Sequence, residues 1–187
     1  MFVIISSSPN NDGLTAACVE AATRGFREEG ADVRHISLCD QRLEHCRQCN
    51  NGWGQCREEH TCVIDDDLGV LQQAISEAEG IIWVTPVYFG DISESARSAF
   101  DRLRRCNFWQ NEVGLLREKA VICVAAAGGS GGGISSCLVA MERYVQHMRG
   151  QIADLIGITR RNRIYTLESI CGAATALAIS TQSTANR

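Results

Sequence analysis

The sequence has almost no lysine and no basic run. Lys119 is the single lysine, and the formal net charge of the chain is −4. Proteins that bind the phosphate backbone of DNA or RNA usually carry clustered positive charge, which this chain lacks. We therefore expect no nucleic-acid partner.

The sequence also lacks an export signal. Its amino terminus, MFVIISSSPN, has no basic residue, and its apolar run covers only residues 2–5. Secretory signals and membrane-spanning helices need longer apolar stretches. We therefore expect a cytoplasmic protein with no membrane partner. In that reducing compartment the ten cysteines indicate metal ligands or redox groups more than disulfides.

Internal repeats and low-complexity linkers are absent as well, so we expect one domain over residues 1–187. Strand-like apolar runs and helical patterns alternate about five times, which predicts an α/β fold with a parallel sheet. The predicted strands are residues 2–5, 33–38, 81–85, 120–127 and 152–158. The predicted helices are residues 14–26, 68–78, 93–103 and 134–148, with an alanine-rich helix after Thr166.

The stretch IIWVTPVYFGD, residues 81–91, indicates a strand followed by a binding loop. Its first five residues show no polar alternation, which is typical of a strand buried on both faces. Pro86 ends the strand, and the following residues supply two aromatic rings, a glycine and free backbone groups. This loop could form the wall of a site for a flat ligand. We interpret Asp91 and Glu94 as a capping box for the next helix.

Two other loops leave predicted strands at the carboxyl edge of the sheet, where open α/β folds bind ligands. The first, SSSPNNDGLT, offers hydroxyls of Ser6, Ser7, Ser8 and Thr15 and the amides of a helix start, which together can hold a phosphate. It lacks the ending of an ATP-binding P-loop and the GxGxxG of a dinucleotide fold. The alternative is a serine-rich turn that caps a helix.

The other loop, AAAGGSGGG, has five glycines within residues 127–133. So many glycines cost backbone entropy on folding. Their presence is explained if a ligand approaches the main chain closely or if the loop moves. The alternative is a flexible surface loop.

These motifs together resemble a known family. Ser8, Pro9, Gly13 and Thr15 match an opening motif that usually reads Gly-Ser-Pro-Arg followed by Gly-Asn-Thr. Ser7, Asn10 and Leu14 replace its glycine, arginine and asparagine. The most specific match is PVYFG followed by a helix containing FDR. From residue 1 to about 150, the sequence resembles the flavodoxin-like NAD(P)H-dependent FMN reductases, in particular the iron-sulfur flavoproteins.

The resemblance implies a flavodoxin-like three-layer fold with a five-stranded parallel sheet in the order 2-1-3-4-5 and a cysteine-containing insert, residues 40–64, after strand 2. It implies FMN, with its phosphate on the first loop, its ring against the second and the glycine-rich loop on the ring's other side. NADH or NADPH would be the co-substrate, and no catalytic side chain is expected because the flavin carries the chemistry. The expected FMN-binding residues are Ser6, Ser8, Asn10, Gly13, Leu14, Thr15, Pro86, Val87, Tyr88, Phe89, Gly90, Gly128, Gly129, Ser130 and Gly133.

The insert carries four cysteines, Cys46, Cys49, Cys56 and Cys62, with the spacing C-x2-C-x6-C-x5-C. Four thiolates can bind a [4Fe-4S] cluster or a tetrahedral zinc ion. Ordinary thiols or an adventitious disulfide remain the alternative. Because the insert leaves a strand, we expect it at the same sheet edge as the flavin. In the iron-sulfur branch the third cysteine comes earlier, where this chain has Gly52.

The remaining candidate residues are interpreted as structural. The other six cysteines are expected to be small core residues, and the four histidines to be surface or structural side chains. The run from Asp65 to Asp67 is interpreted as a helix cap. The family resemblance also implies a homodimer or homotetramer, with a contact surface at Phe108, Trp109 and the connector 107–118.

The leading hypothesis is therefore an FMN-dependent oxidoreductase that passes electrons from NAD(P)H to a small-molecule or protein acceptor. The competing hypothesis is a non-enzymatic flavin electron carrier or redox-sensing module, with or without an iron-sulfur centre. A third hypothesis is a thiol or zinc protein without flavin.

Overall fold

The computed structural model describes residues 1–107 and 114–185, and their side chains up to residue 182. Its centre is a five-stranded parallel sheet in the order β2-β1-β3-β4-β5. This confirms the predicted strand order and the flavodoxin-like architecture. The strands are β1 (Phe2–Ser6), β2 (Val33–Ser37), β3 (Gly80–Pro86), β4 (Ala120–Ala127) and β5 (Gln151–Thr159).

Five helices cover the two faces of the sheet. They are α1 (Leu14–Glu28), α2 (Leu68–Glu77), α3 (Glu94–Asn107), α4 (Ile134–His147) and α5 (Arg163–Ala185). Short 3-10 turns at Leu38–Asp40, Asn50–Gly52 and Gln55–Arg57 interrupt the connection from β2 to α2. The insert after β2 therefore has little regular structure of its own.

The sheet separates two apolar cores because successive strand residues point to opposite faces. In β3, Trp83 packs into the core formed with α2, α3 and α4, whereas Val84 packs into the core formed with α1 and α5. Every residue of β1 and β3 is buried. This explains why residues 81–85 show no polar alternation in the sequence.

Helix α3 begins differently from the prediction. Ser93, not Asp91, supplies the cap, since the Ser93 hydroxyl accepts a hydrogen bond from the Ala96 amide at 3.3 Å. Asp91 instead accepts from the Ile92 amide at 2.8 Å and forms an ion pair with Arg97. The reason is that the backbone groups of Asp91 are hydrogen-bonded to Tyr88 in the preceding turn. The helix therefore starts after Asp91. The capping box at Asp91 and Glu94 was therefore wrong.

One described helix, α5, is long and apolar enough over Arg163–Gln182 to cross a membrane by length and composition alone. Core helices of soluble proteins pass the same test. Helix α5 packs against α1, and Ile170, Ala174 and Ala178 are fully buried. The finding is therefore weak evidence for a membrane span. The expected contact surface at Phe108 and Trp109 lies outside the described residues.

Candidate functional site

The loop after β1 is fixed to the start of α3. The backbone carbonyl of Ser7 accepts hydrogen bonds from the hydroxyls of Ser93 and Ser95, each at 3.1 Å. The amide of Ser7 donates to the carbonyl of Val84 in β3, also at 3.1 Å. The first two predicted binding loops are therefore held side by side at the carboxyl edge of the sheet.

The hydroxyls expected to bind phosphate are not all free to do so. Ser6 Oγ is hydrogen-bonded to His35 Nε2 at 2.8 Å, Ser7 is buried, and Ser8 Oγ accepts from the Asn10 amide at 3.2 Å. Partial burial is the main cause that lowers the pKa of His35, while Asp40 opposes it. We conclude that Ser6 and Ser7 mainly stabilise the loop itself.

The amides at the start of α1 remain as anion donors. Its N-cap residue is Gly13, which has no side chain to cap the helix amides. The first amides of a helix have no intrahelical partner, and the helix dipole favours a negative charge beside them. Ser6, Ser8, Asn10 and Thr15 also line one surface cleft, but Glu20 and Asp40 line it too. Because these carboxylates repel an anion, the helix amides are the better phosphate donors.

The loop after β3 ends in a tight turn. Tyr88 and Asp91 exchange two backbone hydrogen bonds of 2.9 Å, and Phe89 and Gly90 between them have φ of 50° and 78°. Positive φ at both central residues is the pattern of a type I′ turn. Glycine tolerates it, but a bulky side chain such as Phe89 rarely adopts it. The Phe89 ring is fully exposed, at 110% of its reference area.

The glycine-rich loop after β4 contacts this turn directly. A Cβ atom on Gly133, whose φ is 81°, would lie 2.4 Å from the Cα of Gly90. The Ser136 hydroxyl donates to the carbonyl of Gly90 at 2.5 Å and is also 3.1 Å from that of Gly133. By contrast, Cβ atoms on Gly128 and Gly129 would meet nothing within 4 Å. The loop thus touches the β3 loop at one end and leaves open space at the other.

The structure therefore brings the three predicted loops together. Pro86 is buried and ends β3, Val87 lies beside Gly133, and Ser130 holds its own loop through the Gly132 amide at 3.2 Å. Leu14 is the first residue of α1, directly after Gly13. The amides of the first loop, the turn at Tyr88 to Asp91 and the glycine-rich loop then surround one part of the sheet edge.

The insert cysteines lie around a separate cavity. Cys46, Cys49, Cys56 and Cys62 line it together with Arg102, Arg105 and Cys106 of α3. Arg102 is eight residues beyond Glu94, so the cavity begins about 12 Å along the axis of α3 from its first residue. The expectation that the cysteines lie at the same edge as the flavin loops was therefore wrong. The insert leaves that edge but runs down beside α3.

The thiols surround this cavity without meeting at one point. Within residues 1–107 and 114–185, no three His, Cys, Asp or Glu side chains are grouped so as to hold a single metal ion. All ten cysteines are free thiols. A zinc site needs its sulfur atoms about 2.3 Å from one ion. An iron-sulfur cluster binds its four cysteines through different iron atoms, so these thiols can stand further apart. The donor set fits a cluster better than zinc.

A buried ion pair joins the insert to α3. Arg102 donates to both carboxylate oxygens of Asp66, at 2.5 and 2.9 Å, and the two side chains are 1% and 0% exposed. Asp66 also accepts from the amides of Glu44 and Leu68. Burial raises the pKa of Asp66, but these hydrogen bonds outweigh burial and hold it below its ordinary value. Asp66 thus binds the first amide of α2 and anchors Arg102, whereas the N-cap residue Asp67 makes no side-chain cap hydrogen bond and accepts from the Arg42 amide instead.

A second arginine of α3 holds the middle of the insert. Arg105 donates to the carbonyl of Gly52, and its guanidinium lies 4.8 Å from the centre of the Trp53 ring. Such a contact adds cation–π attraction. Neither arginine was assigned a role from the sequence. The available signal was their spacing in RLRRC, which puts Arg102 and Arg105 one turn apart beside the same partner.

Most of the other cysteines are core residues, with one exception. Cys18, Cys106, Cys123, Cys137 and Cys171 are buried, as predicted. Burial raises the pKa of Cys18, Cys123 and Cys137 to about 12, so these thiols are protonated and inert. Cys39 is exposed and lies 3.7 Å from the Ser95 hydroxyl, so it is not a core residue. It sits where β2 leaves the sheet edge.

Comparison with known proteins assigns the chain to a family. The model of the NADPH-dependent FMN reductase family matches residues 1–154. The chain belongs to this family. An iron-sulfur flavoprotein of Methanocaldococcus jannaschii is 37% identical over 142 residues, which are 75% of this chain and 68% of that protein. The resemblance inferred from SSSPNNDGLT and PVYFG is thereby confirmed.

Solved structures share the fold. An archaeal flavodoxin superposes with a TM-score of 0.65 at 16% identity, covering 97% of this chain and 99% of that one. RosB with bound 8-demethyl-8-formylriboflavin-5′-phosphate superposes with a TM-score of 0.75 at 12% identity, covering 98% and 81%. As a member of the NADPH-dependent FMN reductase family, the protein is a flavin-dependent oxidoreductase with FMN as its cofactor.

Proposed function

We propose that the protein takes electrons from NADH or NADPH through FMN bound at the three loops and passes them to a small-molecule or protein acceptor. The observation that carries this proposal is the convergence of the loops. Ser7 is bonded to Ser93 and Ser95, and Gly133 lies against Gly90. Three loops that touch at a carboxyl edge form one site, not three.

Each loop has a distinct part in binding. The amides after Gly13 would hold the phosphate, because Gly13 has no side chain to cap them and they carry the positive end of the α1 dipole. The backbone of the turn after Val87 would face the edge of the flavin ring. Gly128 and Gly129, with open space beside them, would let the ring approach the main chain.

Bound FMN would supply the redox chemistry, while the protein supplies position and electrostatics. The exposed side chain of Tyr88 leaves the outer side of the site accessible to a second substrate. Burial, followed by the charges of Glu94 and Cys39, raises the pKa of Tyr88, so its hydroxyl stays protonated and can donate a hydrogen bond. We assign no proton-transfer role to any side chain.

We also propose that the insert holds an iron-sulfur cluster. The support is the soft donor set around one cavity and the positive charge of Arg105 beside it, since the charge of Arg102 is already balanced by Asp66. Thiolate ligands bring negative charge, which a nearby guanidinium offsets. The cluster would give the protein a second redox group, and this favours the alternative function of an electron carrier between protein partners.

Anaerobic reduction distinguishes the two functions. Purified flavin-loaded protein is mixed with NADH, with NADPH or with a reduced ferredoxin, and loss of flavin absorbance is followed in time. Rapid bleaching by a nicotinamide supports the oxidoreductase. Bleaching by the ferredoxin alone supports the electron carrier. Protein that contains no flavin after expression with flavin available would contradict both.

A cytoplasmic homodimer or homotetramer completes the proposal. The fully exposed Phe89 ring is an apolar group that a second subunit would cover. Light scattering coupled to size-exclusion chromatography measures the assembly. A monomer at micromolar concentration with FMN bound would contradict it.

Phe89 provides a test of the flavin site. In Phe89→Gly the left-handed backbone is no longer strained, so we expect stability to stay within about 1 kcal/mol of the parent. Loss of the aromatic contact should weaken FMN binding about three- to tenfold. Thermal unfolding without flavin and fluorescence titration with FMN measure the two effects. Phe89→Asn also tolerates positive φ and also removes the ring. It is a second variant that should show the same stability and the same loss of FMN affinity as Phe89→Gly. Unchanged FMN affinity in both variants would remove the ring from the site.

A further inference from the structure

A chain of polar side chains runs from α4 through α3 to the turn at Tyr88 to Asp91. The Tyr144 hydroxyl donates to the carboxylate of Asp101 at 2.7 Å. Arg97 donates to the same hydroxyl through Nη1, also at 2.7 Å, and pairs through Nη2 with the carboxylate of Asp91. The guanidinium of Arg97 is therefore held by α4 at one end and holds the last residue of the turn at the other.

The ionisation of these groups keeps the chain of bonds intact. Partial burial lowers the pKa of Arg97, but Tyr144, Asp91 and Asp101 outweigh burial and raise it above its ordinary value. Burial, followed by the hydrogen bond to Asp101, raises the pKa of Tyr144, so its hydroxyl keeps the proton that it donates. Hydrogen bonds of this kind, with an ionised partner on one side, are stronger than neutral ones.

The ring of Tyr144 is itself fixed against the sheet. It stacks on Phe100 of α3 with 4.8 Å between the ring centroids, and Phe100 stacks on Trp83 of β3 at 3.9 Å. Trp83 and Phe100 are fully buried. Close-packed rings have little freedom to change rotamer. Tyr144 therefore presents its hydroxyl to Arg97 at one defined position.

The turn needs outside support because one of its central residues is strained. Phe89 has φ of 50°, a left-handed conformation that costs a bulky residue about 1 kcal/mol or more. Such strain persists only where surrounding contacts hold it. The Ser136 hydroxyl of α4 holds the carbonyl of Gly90, and Arg97 of α3 holds Asp91. The two helices therefore fix the turn at consecutive residues.

We propose that Arg97 is a positioning residue of the flavin site: through Asp91 it holds the turn in the conformation that faces the flavin ring, and Tyr144 orients its guanidinium. This rests on the proposed binding of FMN at the three loops. A turn that is already ordered presents its backbone groups to the ring without a further loss of conformational entropy on binding. The bonds of the guanidinium to Tyr144 and Asp91 are made within the protein, so Arg97 acts on the flavin through the turn and not by contact.

The test measures FMN affinity by fluorescence titration and stability by chemical unfolding without flavin. Arg97→Met removes both bonds and should weaken FMN binding about three- to tenfold. Tyr144→Phe keeps the ring stack and removes only the hydroxyl, so a loss of about two- to threefold is expected. Two exposed residues supply matched controls, Arg143→Met on α4 and Tyr165→Phe on α5, and both should bind FMN like the parent.

A double variant distinguishes positioning from direct contact with the flavin. If Arg97 acts through Asp91, Arg97→Met should weaken FMN binding no further in a chain that already carries Asp91→Ala. A further loss of about threefold or more in that chain would show that Arg97 binds the flavin independently, against the proposal. Arg97→Lys keeps a cation opposite Asp91 and should restore FMN affinity to within about twofold of the parent.

The outcomes separate this role from the flavin site itself. Parent protein that binds no FMN would refute the site and the role of Arg97 with it. Parent protein that binds FMN, with unchanged affinity but lower stability in Arg97→Met, would leave the site standing and reduce Arg97 to a structural residue. If Arg97→Met does not fold, Tyr144→Phe decides, because parent-like FMN affinity in that variant would contradict the orienting role of its hydroxyl.

Discussion

Gly133→Ala should lower FMN affinity at least about tenfold and destabilise the flavin-free protein by about 2 kcal/mol or more. Alanine at φ of 81° is strained, and its Cβ would lie 2.4 Å from the Cα of Gly90. Backbone cannot yield as a flexible side chain does. The turn at Phe89 and Gly90 must therefore shift away from the glycine-rich loop, which disturbs two walls of the site at once.

Gly132→Ala is the matched control for this change. It lies in the same loop, its φ is not positive, and its Cβ would meet only Ser130 Oγ at 3.4 Å. We expect both its stability and its FMN affinity to stay near the parent values. Chemical unfolding and flavin titration measure both quantities. Equal effects of the two substitutions would show that the contact between Gly90 and Gly133 is not required.

Arg102→Met should destabilise the protein by about 3–5 kcal/mol, because it leaves the Asp66 carboxylate buried and without its counterion. The pair is 1% and 0% exposed, so solvent cannot replace the lost partner. The double variant Asp66→Leu, Arg102→Met should recover much of the loss, since it removes both charges. Arg24→Met, which breaks an exposed ion pair with Glu168, should have a small effect.

The same pair gives a pH dependence with a definite sign. The pKa of Asp66 is lowered in the folded protein, so its ionised form is bound more tightly there than in the unfolded chain. Its contribution is complete above the ordinary carboxyl pKa and is lost as pH falls through the folded value. We expect Arg102→Met to lose less stability than the parent between neutral and acidic pH. An identical acid dependence in both proteins would contradict this origin.

Much of the fold follows from the sequence, because it depends on patterns that are local. Continuous apolar runs mark β1 and β3, which are buried on both faces, and the apolar positions of α3 predict its buried side. The glycine-rich loop is also visible as composition. These signals do not depend on which residues are neighbours in space. The sequence alone therefore predicts the five strands and the three loops.

The misses concern partners that only the folded chain brings together. The bond between Ser6 and His35 joins residues on adjacent strands, and the pair of Asp66 and Arg102 joins the insert to a helix beyond β3. No periodicity marks either pair. Cys106 is a buried core residue, as predicted, but its place beside the insert depends on the packing of α3, which no local pattern shows.

Hydrogen bonds from α3 to the first loop and to the insert fix the distance between the flavin loops and the insert. Ser95 binds the first loop and Arg102 binds Asp66, and about two helical turns separate them. Deleting one residue between these points would turn the far end by about 100° and draw it in by about 1.5 Å. Both anchors could not then be satisfied together. The spacing from Ser95 to Arg102 is thus fixed by the contacts that these two residues make.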